Sequence, residues 1–241
     1  EAKGYQLPKF DIQAVREKTA KFPTWVHFGG GNIFRAFPAA ILNDALNTGH
    51  YDRGVIVAET FDFEVIDKAY TPYQNLSLLV SLQSDGNIEK KVIASVTEAL
   101  KADYQFQDWQ RLVAIFRNPS LQMISFTITE KGYGYNDADL NRGLQPVFAM
   151  GKVTALLYER WKGSYTANDK GSALPLTIQS MDNCSHNGDK AKDGVMAYAE
   201  RWVNDGLVPQ AFLDYLKDET KVTFPWSMID KITPRPHEKV K

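Results

Sequence analysis

Four short stretches and one tail residue hold the groups that could do chemistry. The first is Gly29-Gly30-Gly31, directly after the apolar run Thr24–Phe28. A dinucleotide pyrophosphate needs backbone N–H groups and a helix N-terminus at close range, and a Cβ on Gly29 or Gly31 would block that approach. Asn32, Ile33 and Phe34 open the following helix and join the two glycines as cofactor-binding candidates. Phe34 stands where a third spaced glycine would complete the dinucleotide fingerprint, and a tight strand-to-helix turn alone also accounts for the glycines. The second stretch is Glu59, which closes another apolar run. A carboxylate there can accept both ribose hydroxyls and repel a 2′-phosphate, favouring NAD over NADP, or it is a solvated charge at a strand end. The third is Glu130-Lys131, an acid/base or cofactor-contacting pair that equally fits ordinary surface neighbours. The fourth is Asp182-Asn183-Cys184-Ser185-His186-Asn187-Gly188. His186 in it could relay protons or bind a substrate hydroxyl, or be one more residue in a loop of turn formers. In the tail, Asp230 could orient a base or pair with a nearby lysine.

The elements that must position these groups alternate in type. Thr24–Phe28 is a strand candidate. Behind the glycines, Ile33, Phe34, Phe37, Ile41 and Ala45 recur mostly at three- and four-residue steps. They predict one amphipathic helix reaching Gly49, with Pro38 near its first turn. Gly54–Ala58 is an unbroken apolar run, the pattern of a strand buried on both faces. Leu76–Gln83 and Ile88–Val96 flank the turn Ser84-Asp85-Gly86-Asn87 and predict an inserted β-hairpin. Strands are expected at Met123–Thr129 and Leu174–Met181, and helices at Tyr104–Phe116, Gln145–Trp161, Lys190–Val203 and Pro209–Leu216. This alternation predicts an α/β fold, a Rossmann-type doubly wound sheet with an inserted β-hairpin. Ligands of such sheets bind outside the carboxyl ends of the strands, where the loops after Phe28, Thr129 and Met181 fall.

Bulk properties exclude several classes. With 28 basic against 29 acidic residues and no block of like charge, a binder of nucleic-acid backbone is not expected. The single cysteine, Cys184, forms no internal disulfide, no His/Cys cluster has zinc spacing, and no metal site is expected. No apolar run is long enough to span a membrane, and the N-terminus lacks the build of a signal peptide, so a cytoplasmic location is expected. The chain opens on Glu1 without an initiator methionine, as expected of processing, a tag scar or a fragment.

Four motifs carry a resemblance: HFGGGNIFRAF at 27–37, TITEKGY at 127–133, DNCSHNG at 182–188 and FPWSMIDKITP at 224–234. In this order they resemble the mannitol dehydrogenase family of polyol-specific long-chain dehydrogenases, which includes fructuronate (mannonate) and tagaturonate reductases. The resemblance covers nearly the whole chain. It implies that residues 1–241 form the NAD-binding N-terminal domain, with its core over about 20–235. It also implies a helical C-terminal domain, absent from this chain, that supplies a general-base lysine. Gly29 and Gly31 match the family's cofactor loop, and Arg35-Ala36 its R-A pair. Asn183 would contribute to an oxyanion hole, Asp230 would lie close to the active site, and His186 and Asn187 fall on the substrate side. Departures are Ser185 for the family's proline, Ile229-Asp230-Lys231 for V-D-R, and Trp226 for an asparagine. Lys131 with Asn136 imitates the lysine motif, but Asp139 stands where its histidine should be. The implied activity is hydride transfer between NAD(H) and the carbonyl carbon of a linear sugar or sugar acid. Fructuronate reduction comes first, with mannitol 2-dehydrogenase or tagaturonate reductase activity as alternatives. A non-catalytic NAD-binding module is the expectation if the natural chain ends at Lys241.

Overall fold

In a computed structural model that describes residues 4–164 and 174–229, the apolar runs lie side by side as parallel strands. Six of them form the main sheet: β2 (Trp25–Phe28), β3 (Val55–Glu59), β6 (Val96–Lys101), β7 (Met123–Phe126), β8 (Leu176–Ser180) and β9 (Val222–Thr223). Every pairing is parallel, in the order β6-β3-β2-β7-β8-β9. Counted along the chain, that is the 3-2-1-4-5-6 arrangement of dinucleotide-binding sheets, with its topological switch between β2 and β7.

Period-two alternation feeds two cores. Val26, Phe28, Ile56, Ala58, Ile124, Phe126 and Ile178 point to one face. They are covered there by α4 (Asp108–Arg117), α6 (Ala149–Ser164), α7 (Asn187–Asn204) and α8 (Gln210–Lys217). Val55 and Val57 point to the other face, against α1 (Ile12–Lys21), α2 (Asn32–Ala36) and α3 (Pro38–Asn47). A short α5 (Asp137–Leu140) precedes α6.

The hairpin is present as β4 (Ser77–Leu82) and β5 (Ile88–Ile93), antiparallel, with β1 (Tyr5–Gln6) added parallel to β5. Two expectations need correction. The second hairpin arm stops at Ile93, and Val96 begins β6, a strand of the main sheet. The single helix expected after the glycines is two. Phe37 leaves helical geometry, and Pro38, which lacks an N–H, restarts the chain at the first position of α3.

The amino ends of β7 and β8 are tied together by Arg160. Its guanidinium, buried with the rest of the side chain, donates to the carbonyls of Phe116, Asn118, Leu121, Leu174 and Pro175. The carboxyl ends carry the glycines and the polar loops.

Candidate active site

The glycine turn is built from both sides. Gly29 has φ +107°, and a Cβ there would run into the Thr127 carbonyl at the end of β7. The turn therefore abuts β7 only because residue 29 is glycine. Gly30 is held at both backbone groups: its N–H donates to Glu59 Oε2 at 3.0 Å, and its carbonyl accepts from the Tyr70 hydroxyl at 2.9 Å. Burial raises the Tyr70 pKa, which keeps that donor protonated. Gly31, the N-cap of α2, has open space where a Cβ would stand. A dinucleotide phosphate fits that space, and a side chain would fill it. Phe34 fills the core position beneath the turn, stacked on His27 with ring centroids 4.1 Å apart, so it supports the turn from below. Asn32 is exposed and accepts from Arg35 at 2.5 Å, while Ile33 is half-buried.

Glu59 is buried and more engaged than its sequence position suggests. Oε1 accepts from the N–H groups of Thr60 (2.9 Å) and Phe61 (3.1 Å), and Oε2 from Gly30. A carboxylate offers about four acceptor positions, so one remains for an incoming hydroxyl rather than two. The turn after Glu59 is braced by Lys152, which donates to the Thr60 carbonyl at 2.9 Å and pairs with Asp103 at 2.7 Å.

Two histidines behave differently. His27, fully buried in β2, lies between Ser125 Oγ (2.7 Å) and Thr127 Oγ1 (2.8 Å). The Trp25 indole, a donor only, gives its proton to Ser125 Oγ, so the serine proton goes to His27 Nδ1. Nε2–H then donates to Thr127, whose hydroxyl reaches the Gly29 carbonyl. Burial lowers the His27 pKa to about 3, matching this neutral tautomer. His186 is exposed, takes a left-handed φ of 53°, and stacks on Trp226 at 4.4 Å.

The loops after β7 and β8 and the segment 224–228 are stitched into one rim. Asn187 is buried, and its amide donates to the Asp182 carbonyl (3.0 Å) and to Ser227 O (2.9 Å) and Oγ (3.1 Å). Its Oδ1 accepts from the Ser227 N–H at 3.0 Å. Gly188 lets the backbone of Phe224 and Pro225 and the Trp226 ring pass where a side chain would collide. Glu130 pairs with Lys190 at 2.9 Å, and Lys131 is exposed. Asn183 is exposed, and its amide has no hydrogen-bond partner among the described residues. Asp230 lies outside the described residues. Sequence reasoning missed Lys152, His27 and the side chain of Asp182, which reads as a turn former beside Asn183. Among the described residues, no helix is long and apolar enough to cross a membrane.

A parallel 3-2-1-4-5-6 sheet with a glycine turn at its switch point defines a dinucleotide-binding domain. The chain belongs to the mannitol dehydrogenase family, whose Rossmann-domain profile matches residues 23–241. It is 50% identical to the D-mannonate oxidoreductase of Thermotoga maritima, over 99% of this chain and 44% of that protein. It is 29% identical to the mannitol 2-dehydrogenase of Cereibacter sphaeroides, over 96% of this chain and 46% of that one. The structure of Pseudomonas fluorescens mannitol 2-dehydrogenase in a ternary complex with NAD and D-mannitol shares the fold. Its TM-score is 0.77 at 23% identity, over 98% of this chain and 46% of that chain. The chain thus spans less than half the length of these relatives.

Proposed function

We propose that the protein is an NAD-dependent oxidoreductase that interconverts fructuronate and D-mannonate. The observation that carries this reading is the glycine turn at the switch point, open above Gly31 and tied through Gly30 to Glu59. The 50% identity to a D-mannonate oxidoreductase supports the sugar acid over mannitol or tagaturonate. When bound, the dinucleotide supplies or accepts the hydride, and the chain supplies alignment. Gly29, Gly31, Asn32 and Ile33 would line the pyrophosphate, and the remaining acceptor position of Glu59 would take one ribose hydroxyl. Glu130 and Lys131 would border the cofactor on the β7 side. Asn183 would donate to the carbonyl oxygen as negative charge grows there, with His186 beside the substrate. Asn187 is better placed to hold the loop than to touch a ligand, because its amide is spent on Asp182 and Ser227. Asp230 would lie near the reacting atoms. A general-base lysine from a C-terminal helical domain would move the hydroxyl proton.

Fluorescence titration and steady-state assays of the full-length protein test this reading. NADH is expected to bind more tightly than NADPH, because a 2′-phosphate would meet the Glu59 carboxylate. Fructuronate is expected to be reduced faster than tagaturonate or fructose. Equal or tighter NADPH binding would remove Glu59 from the ribose position. Absence of NADH-linked turnover on all three substrates would favour a non-catalytic NAD-binding module.

A further inference from the structure

The Asp182 carboxylate grips the turn after β7 at both ends. Oδ2 accepts from the Ile128 N–H at 3.0 Å and from the Tyr133 hydroxyl at 2.6 Å, and Oδ1 accepts from the Thr129 N–H at 2.9 Å. Between those anchors runs Glu130–Tyr133, a single 3₁₀ turn closed by the bond from the Gly132 N–H to the Thr129 carbonyl. Thr129 itself has φ 63° and ψ 163°, a region of backbone space occupied almost solely by glycine. A threonine stays there only if its surroundings over-determine it. The buried carboxylate supplies two of the fixed points: it holds the peptides on either side of Ile128, and so the plane entering Thr129, and through the Tyr133 hydroxyl it holds the end of the turn. The Gly132 N–H holds the Thr129 carbonyl on the plane leaving it. On the far side, the Asp182 carbonyl is held by Asn187, and the next residue is Asn183.

We propose that Asp182 is a positioning residue that clamps the Thr129–Tyr133 turn in a glycine-like conformation and so fixes Glu130 and Lys131 relative to Asn183. The proposal rests on the reading of this crevice as a dehydrogenase site. It adds a device that this reading does not require: one carboxylate sets the spacing between the cofactor-side loop and the oxyanion-side loop. The same turn continues from Thr127, whose carbonyl lies against Gly29, so its position also bears on the glycine turn.

The clamp makes a specific double-variant prediction. In Asp182→Ala, Thr129 is released to ordinary backbone angles and the turn moves. kcat for fructuronate reduction should then fall by about 100-fold, the scale set by a misplacement of roughly 1 Å. Thr129→Gly alone should stay within about threefold of wild type, because glycine accepts the observed angles without strain. Combined, Thr129→Gly should restore about tenfold of what Asp182→Ala loses, since the working conformation no longer needs holding. A merely structural Asp182 would show no such rescue. Full kcat in Asp182→Ala, or a folded double variant with no recovery, overturns the proposal. If Asp182→Ala does not fold, Asp182→Asn serves instead, with an acceptor lost and the same rescue expected. Hydrogen exchange separates the clamp from the functional reading. If wild type turns over none of the substrates, that reading fails. The clamp still requires protected Ile128 and Thr129 amides that exchange at least about tenfold faster in either Asp182 variant, and unchanged exchange overturns it.

Discussion

Two asparagines four residues apart in one loop have opposite circumstances. Asn187 is buried, and its amide joins the Asp182 carbonyl to Ser227. Asn183 is exposed, and its amide has no hydrogen-bond partner among the described residues. Asn187→Ala is therefore expected to cost roughly 2–4 kcal/mol of stability, because it leaves buried backbone groups unpaired. Asn183→Ala is expected to leave stability within about 0.5 kcal/mol of wild type. It should lower kcat by about 100-fold with little change in NADH affinity, since an oxyanion donor acts mainly in the transition state. Urea midpoints and steady-state kinetics on both variants check the split. Loss of stability alone in both would reduce DNCSHNG to a loop of turn formers. Glu59 shows a different division of labour. On the proposed ribose contact Glu59→Lys would remove repulsion of a 2′-phosphate, but it also strips an acceptor from the Gly30, Thr60 and Phe61 amides. Any gain in NADPH binding therefore comes with a loosened glycine turn.

At the scale of elements, the glycine turn separates two roles that its sequence merges. Gly29 has a left-handed φ and no room beside Thr127, so Gly29→Ala should destabilise the fold by about 3 kcal/mol or more. Gly31 has φ −72° and open space around its missing side chain. Gly31→Ala should fold as well as wild type and gain up to about 1 kcal/mol from the stiffer unfolded chain. It should still bind NADH at least about tenfold more weakly, because its methyl group occupies the phosphate space. Thermal melts alongside NADH titration check both, and normal affinity in Gly31→Ala would move the pyrophosphate elsewhere. The strands on either side of this turn were legible because β2, β3, β7 and β8 are short apolar runs bounded by turn residues. β6 was not, and the reason is physical. A bulge at Thr97 shifts the register against β3 between Val55 and Ile56. Val96 and Leu100, which simple alternation would put on one face, fall in different cores. Edge position adds Glu98 and Lys101 to the pattern, satisfied by Arg111 and Asp67. The break at Phe37–Pro38 was also missed, because Pro38 fits a first helical turn equally well in one long helix or at the start of a second. The placement of the polar, glycine-marked loops at the carboxyl ends of β2, β7 and β8 was legible. The grip of Asp182 on Thr129 joins residues far apart in sequence, and no local pattern announces it.

Across the whole molecule, one end of the sheet is fastened by Arg160 and the other is open, and His27 links the open end to acid stability. The ring lies on the face of the second core, stacked on Phe34, with both nitrogens committed to hydroxyls and the chain of bonds ending at the Gly29 carbonyl. Its folded pKa of about 3 lies below the ordinary 6.5, so the unfolded chain takes up a proton that the folded one refuses. The stabilisation is complete above about pH 6.5 and is lost progressively as pH falls toward 3. Its slope approaches about 1.4 kcal/mol per pH unit, and it totals several kcal/mol. Carboxylates complicate the lower part of that range, so the informative window is roughly pH 5 to 6.5. Urea unfolding of wild type should weaken across this window by about one proton's worth, whereas His27→Gln, with nothing to titrate, should give a nearly flat profile from a lower starting stability. NADH affinity of wild type should hold through the same window while the fold persists, because the histidine stays neutral in the folded state and its contacts with the cofactor turn, through Phe34 and Thr127, keep one charge state. Parallel slopes in the two proteins would mean that the acid sensitivity originates outside β2. A fall in NADH affinity ahead of unfolding would mean that His27 titrates in the native protein, which its burial and its hydrogen bonds oppose.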